Sequence, residues 1–159
     1  MANKNSTAAS ALQTAIELET AAFYRLIDLL NEEQRALLGA RPDGLKEVVA
    51  RKNRELDALA GYGRDRLDAM DALGLPRNPD RAEMRMARHP LGAAYRQLRE
   101  LARSSSALNK LNGELARQKL QFVSARLDVL RGAAQRAGLY DATGRSGDSG
   151  SSGRVIAAA

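Results

Sequence analysis

The chain of 159 residues contains no cysteine and no tryptophan, only one histidine, and very few β-branched residues. Each shortage excludes something. Without cysteine there are no disulfides, no thiolate metal sites and no cysteine nucleophile. With His89 as the only histidine, no two-histidine site can form, and a Ser-His-Asp triad would have to use that residue. Valine, isoleucine and threonine supply 12 residues, too few for an extensive sheet. Six aromatic side chains leave a core of aliphatic groups, suited to narrow helix seams rather than a broad ligand pocket. No apolar run reaches the ~18 residues of a membrane span. The opening Met1-Ala2-Asn3-Lys4-Asn5-Ser6 lacks the apolar stretch of a signal peptide. Ala2 stands where myristoylation needs glycine. A cytoplasmic protein without stable membrane anchoring is expected.

What is abundant points to helices. Alanine and leucine account for 52 residues, and both lose little freedom in a helix. The fold expected is all-α: an elongated antiparallel bundle of three long helices and one short one, with coiled-coil-like packing. The helices are expected at about 6–38, 43–73, 80–88 and 90–137, within a bundle spanning 1–140. Leu12, Ile16, Glu19, Phe23, Leu26, Leu30, Glu33 and Leu37 alternate steps of four and three, a heptad seam. Ala15, Ala22, Leu29 and Ala36 widen it. Glu19 and Glu33 interrupt it, and are expected to reach solvent along their stems rather than to set register.

A break at 39–44 follows, where Pro42 disfavours helix and Asp43 is placed to cap the next one. The connection is short, so helices one and two should be antiparallel neighbours. The second helix should bury Leu45, Val49, Leu56, Leu59, Met70 and Leu73, with Gly61 and Gly63 marking a bend. After the Pro76–Pro79 break and a short helix, Pro90 should start the longest helix and Gly138 end it. Residues 141–159 begin with thirteen residues of which eight are glycine or serine, a composition expected to stay flexible.

The net charge of +6 is unevenly spread: residues 1–38 are net acidic, and 76–138 strongly basic. Attraction between an acidic first helix and a basic last helix explains this as well as an acidic partner does. Arg77, Arg81, Arg85 and Arg88 step along one helical face, and Arg96, Arg99, Arg103, Lys110 and Arg117 extend the positive character. Such a ridge suits phosphates. No aromatic residue interleaves with it for base stacking, so nucleic-acid binding is the weaker reading and no nucleic acid is expected as a partner.

Catalytic signals are absent. His89 sits beside Pro90 in a break, and Met86 stands where a di-iron helix would carry glutamate. The carboxylates lie at ordinary solvent-face spacing, and no phosphate-binding glycine loop is present. Neither an enzyme, a metal site nor a cofactor is expected.

The last helix carries more information. Leu108, Leu111, Leu115 and Phe122 form one apolar stripe; Leu120, Val123, Leu127, Leu130, Ala134 and Ala137 form another, rotated around the helix. Two shorter helices cannot cover both along the whole length. A partner-binding face is therefore expected at Leu120, Phe122, Val123, Leu127, Leu130 and Ala134. Homodimerisation through that surface, as a self-associating coiled-coil subunit, is the competing expectation. Within the same helix, Asn109-Lys110-Leu111-Asn112-Gly113 is poor in helix formers. That predicts a buried amide at Asn112 fixing register and a close helix approach at Gly113.

The spacing Asn109-x-x-Asn112-Gly113-x-Leu115, followed by a leucine-rich helix and Tyr140-x-x-x-Gly144 before a Gly/Ser-rich tail, resembles the FlgN family of flagellar export chaperones. Ala116 departs from the larger aliphatic residue usual there. The resemblance implies a cytoplasmic chaperone for the hook–filament junction proteins FlgK and FlgL. It implies that the C-terminal helical region masks their apolar C-terminal segments and that the complex is delivered to the flagellar type III secretion apparatus. No cofactor is required for this.

Overall fold

In the computed structural model, four helices follow one another: α1 (Ala2–Leu38), α2 (Leu45–Ala72), α3 (Pro79–Met86) and α4 (Gly92–Gly138). The structure describes residues 2–39 and 44–138, and the side chains of 5–39 and 44–133. Among the described residues there is no strand, and no helix is long and apolar enough to cross a membrane. The expected helix ends hold to within a few residues. The cap expected at Asp43 and the Gly/Ser-rich tail lie outside the described residues. The residue that precedes α2 is Gly44, at φ 81°, a left-handed conformation that glycine adopts without strain, and it provides no side-chain cap. Pro90 does not itself enter α4, which starts two residues later.

Two compact units divide the chain, residues 1–117 and residues 118–159. In the first, α1 and α2 run antiparallel. Arg25 pairs with Glu55 at 2.8 Å, Glu32 with Arg51, Glu33 with Lys52 at 2.6 Å and Glu19 with Arg66 at 2.6 Å. From Glu19 to Glu32 along α1, the partners on α2 fall from Arg66 through Glu55 to Arg51. The early part of α4 runs alongside α1 in the same direction: Gln97 Nε2 donates to Tyr24 Oη at 2.8 Å, and Asn112 Nδ2 to the Leu30 carbonyl at 2.8 Å.

The seam of α1 is buried as its heptads require. Leu12 and Ile16 meet Met70 of α2, Ala82 and Met86 of α3, and Tyr95 and Leu98 of α4. Further along α1, Ala22, Leu26 and Leu30 cluster with Leu59, with Phe23, Tyr62 and Leu108 against them. On α2, Leu59 and Met70 are buried as expected and Leu45 and Leu73 are half-buried, but Val48 rather than Val49 is the buried valine, and Leu56 is exposed. Adjacent valines carry no periodic signal to choose between them; packing against α1 does.

Helix α3 is fixed at both ends. Asn78 Oδ1 accepts from the backbone N–H groups of Asp80 and Arg81 at 3.2 and 3.1 Å, and Pro79 opens the helix. At its other end the chain passes so close to α4 that a Cβ on Gly92 would lie 2.2 Å from the Met86 carbonyl oxygen. His89 Nδ1 accepts from the Leu91 N–H at 3.2 Å, a local turn contact.

Candidate interaction surface

Two sets of residues singled out by the sequence behave oppositely. The first set is polar and buried. Glu19 and Glu33 do not reach solvent: each is only 6% exposed. Burying an unpaired carboxylate is costly, so partners must be supplied. Glu19 accepts from Arg66 Nε at 2.6 Å, and Arg66 also lies over the Tyr95 ring, 5.9 Å from its centre. Gly63 lies beside this carboxylate: a Cβ there would stand 3.5 Å from Glu19 Oε1, an ordinary van der Waals contact, so the packing does not itself demand a glycine. Glu33 takes Lys52 Nζ on one oxygen at 2.6 Å and Asn112 Nδ2 on the other at 2.9 Å. Stems alone do not decide where a long acidic side chain goes; complementary cations on α2 hold these two inside.

Asn112 is buried as expected, at 2% exposure, and joins α4 to α1 through Leu30 and Glu33. Its own carbonyl oxygen is buried without a hydrogen-bond partner. Asn109 reaches the same layer weakly, accepting from Lys52 Nζ at 3.4 Å. The close helix approach expected at Gly113 is not found. The residue is exposed, and a Cβ there would meet nothing within 4 Å. Gly113 lies about 100° around α4 from Asn112, on a part of the helix open to solvent. Burial of Tyr95 pushes its hydroxyl pKa above the usual tyrosine value.

The arginine ridge is divided by its partners. Arg77 lies ahead of α3 and is held by Asp68 and Asp71, and its hydrogen bond keeps the Asp71 carboxyl below the usual carboxylate range. Arg99 reaches Asp80 at 3.3 Å and Glu83 at 3.5 Å, and Arg103 reaches Glu83 at 3.5 Å. Arg77, Arg99 and Arg103 are thus paired within the unit, but with carboxylates of α2 and α3 rather than with the acidic first helix, as internal attraction between the first and last helices would have required. The α1 carboxylates Glu19, Glu32 and Glu33 are met by cations of α2.

The second set is apolar and exposed. In the unit that begins at Gln118, every residue from Leu120 to Arg131 is exposed. Leu120, Phe122 and Leu130 are all more than 60% exposed, and Val123 and Leu127 nearly half exposed. Val129, absent from the expected face, is 68% exposed. Its position seven residues after Phe122 was the available signal. Ala134 lies in α4, with its side chain outside the described part; Tyr140 and Gly144 lie outside the described residues altogether. Arg126 stacks its guanidinium over the Phe122 ring, 5.4 Å from the centre. This part of α4 thus exposes a run of aliphatic and aromatic side chains instead of burying them. Among the described residues, no group of three or more histidine, aspartate or glutamate side chains converges to hold a metal ion.

The family model described as FlgN protein matches residues 1–147. The chain belongs to the FlgN family. The match takes in α1 to α4 and continues through Tyr140 and Gly144, so it is not limited to the Asn109–Leu115 motif that first suggested it. FlgN membership carries the general role of a flagellar export chaperone. No curated protein and no solved structure matches the chain. In this FlgN-family chain, the motif residue with a clear structural task is Asn112, which ties α4 to α1.

Proposed function

We propose that this protein is a cytoplasmic chaperone of the hook–filament junction proteins, FlgK, FlgL or both, and delivers them to the flagellar type III export apparatus. The observation that carries the reading is the exposed apolar helix beyond Gln118 in a chain of the FlgN family. Amphipathic sequence of a client, prone to self-assembly, would be masked by Leu120, Phe122, Val123, Leu127, Leu130 and Ala134. The helix-in-groove mode is the physical basis: aliphatic anchors spaced three and four apart leave water together. Masking needs no covalent step and no cofactor. Release follows when a component of the export apparatus competes for either partner.

The direct test is calorimetric titration of the full chain with the C-terminal segment of the junction protein from the same cell, at two salt concentrations. Saturable binding that changes little with salt, and disappears when residues 118–159 are removed, is the expected result. No heat and no complex would refute the client assignment. A self-association that persists without any client would assign the apolar surface to a second copy instead.

A further inference from the structure

The exposed apolar groups of residues 118–133 do not form one stripe. At about 100° per residue, Leu120, Val123, Leu127 and Leu130 cluster on one side of the helix, and Phe122 and Val129 cluster about 130° away. Arg126 projects between them, stacked on Phe122. A shallow hollow runs between Phe122, Arg126, Val129 and Leu130. The opposite side carries Ser124, Asp128 and Gln121. One partner helix covers one seam, roughly two positions in seven. Two separated seams on the same helix require two partner helices, with this helix lying in the crevice between them.

Charge identifies the occupant. Residues 118–133 carry Lys119, Arg126 and Arg131 against a single carboxylate, Asp128. A second copy of the helix would bring the same excess of cations. A partner that brings carboxylates to the ridge at Arg126 complements it, and an apolar environment strengthens that attraction.

Resting on the chaperone reading above, we infer that the client supplies two helical segments, one on each apolar stripe. At least one of them bears a carboxylate that meets Arg126. The client segment is therefore a helical pair or hairpin with acidic flanks, rather than a single amphipathic helix. The side chains concerned are exposed, so their substitution leaves folding of the chain intact, which circular dichroism checks.

The test titrates the full chain with the whole purified hook–filament junction protein. It compares wild type with Phe122→Asp/Val129→Asp, Leu127→Asp/Leu130→Asp and Arg126→Glu. Each double variant is expected to lose at least about tenfold in affinity, and Arg126→Glu a smaller but measurable factor. Hydrogen exchange of the client in the wild-type complex is expected to slow in two separate stretches. Wild-type affinity in Phe122→Asp/Val129→Asp, or protection confined to one stretch, overturns the two-helix mode and leaves the client reading standing. Failure of the wild type to bind overturns the client reading and this inference with it. A tight dimer of the free chain that both double variants dissolve assigns both stripes to a second copy, and also overturns it.

Discussion

Helix α1 and the part of α4 beyond Gln118 carry similar aliphatic stripes, yet one is buried and the other open to water. Leu12, Ile16, Leu26 and Leu30 are at most 3% exposed, whereas Leu120, Leu127 and Leu130 range from 47% to 67%. Hydrophobic periodicity is the same statement in both places: this side of the helix seeks a partner. It does not say whether the partner belongs to the same chain. The polar residues within the stripes distinguish the two cases. In α1, Glu19 and Glu33 are answered by Arg66, Lys52 and Asn112. Beyond Gln118, Arg126 finds the Phe122 ring but no carboxylate among the described residues.

The contrast can be broken most forcefully at Glu33. Glu33→Ala leaves Lys52 without its carboxylate inside the unit and removes one of the two hydrogen bonds of the Asn112 amide, and should cost about 3–5 kcal/mol in chemical denaturation. The same measurement on Leu127→Asp/Leu130→Asp should change little, within about 0.5 kcal/mol per exposed site, while client binding collapses. If the exposed pair destabilised the chain as Glu33→Ala does, the two stripes would not differ in the way described here.

A second, smaller effect separates two glycines. Gly92→Ala drives a Cβ against the Met86 backbone and should destabilise by about 1–3 kcal/mol as the α3–α4 junction shifts to accommodate it. Gly113→Ala meets open space in mid-helix and should stabilise by about 0.5–1 kcal/mol, visible as a raised Tm.

Smaller still is the effect of replacing Glu19 and Arg66 together by Leu and Met. If the pair serves register more than stability, the double variant should be near neutral, while Arg66→Met alone is strongly destabilising. A double-mutant cycle by denaturation decides this.

The pH dependence should be slightest. The lowered pKa of Asp71 means that its pairing with Arg77 contributes above the ordinary carboxylate pKa and is lost as pH falls through the lowered value. The raised pKa of Tyr95 works in the opposite sense: its contribution is complete below the ordinary tyrosine pKa and is lost as pH rises through the raised one. Arg77→Gln should flatten the acid limb of a stability–pH curve, and Tyr95→Phe the alkaline limb.

Most of the fold was legible because helix signals are local. Heptad spacing in α1, the breaks near Pro42 and Pro76, and the poor helix formers around Asn112 can each be read within a few turns. The burial of Asn112 was legible for the same reason, since a polar residue kept in a weak helical stretch needs a structural task. Three readings failed where a neighbour from a distant part of the chain decided the outcome. Val48 against Val49 depends on how α2 is rotated against α1. Glu19 and Glu33 depend on cations 47 and 19 residues away. Gly113 depends on which side of α4 faces α1, and Asn112 had already taken that side.

By itself, the sequence determined the helices, their order, the apolar seams and the lack of any thiol or multi-histidine chemistry, because these follow from residue type and spacing along one chain. Tertiary structure alone decided which seam is satisfied internally. Water is excluded from α1 by α2, α3 and the early part of α4, and no described side chain does the same for residues 120–131. Burial is a property of what stands opposite a residue, and that is set only when the helices have packed.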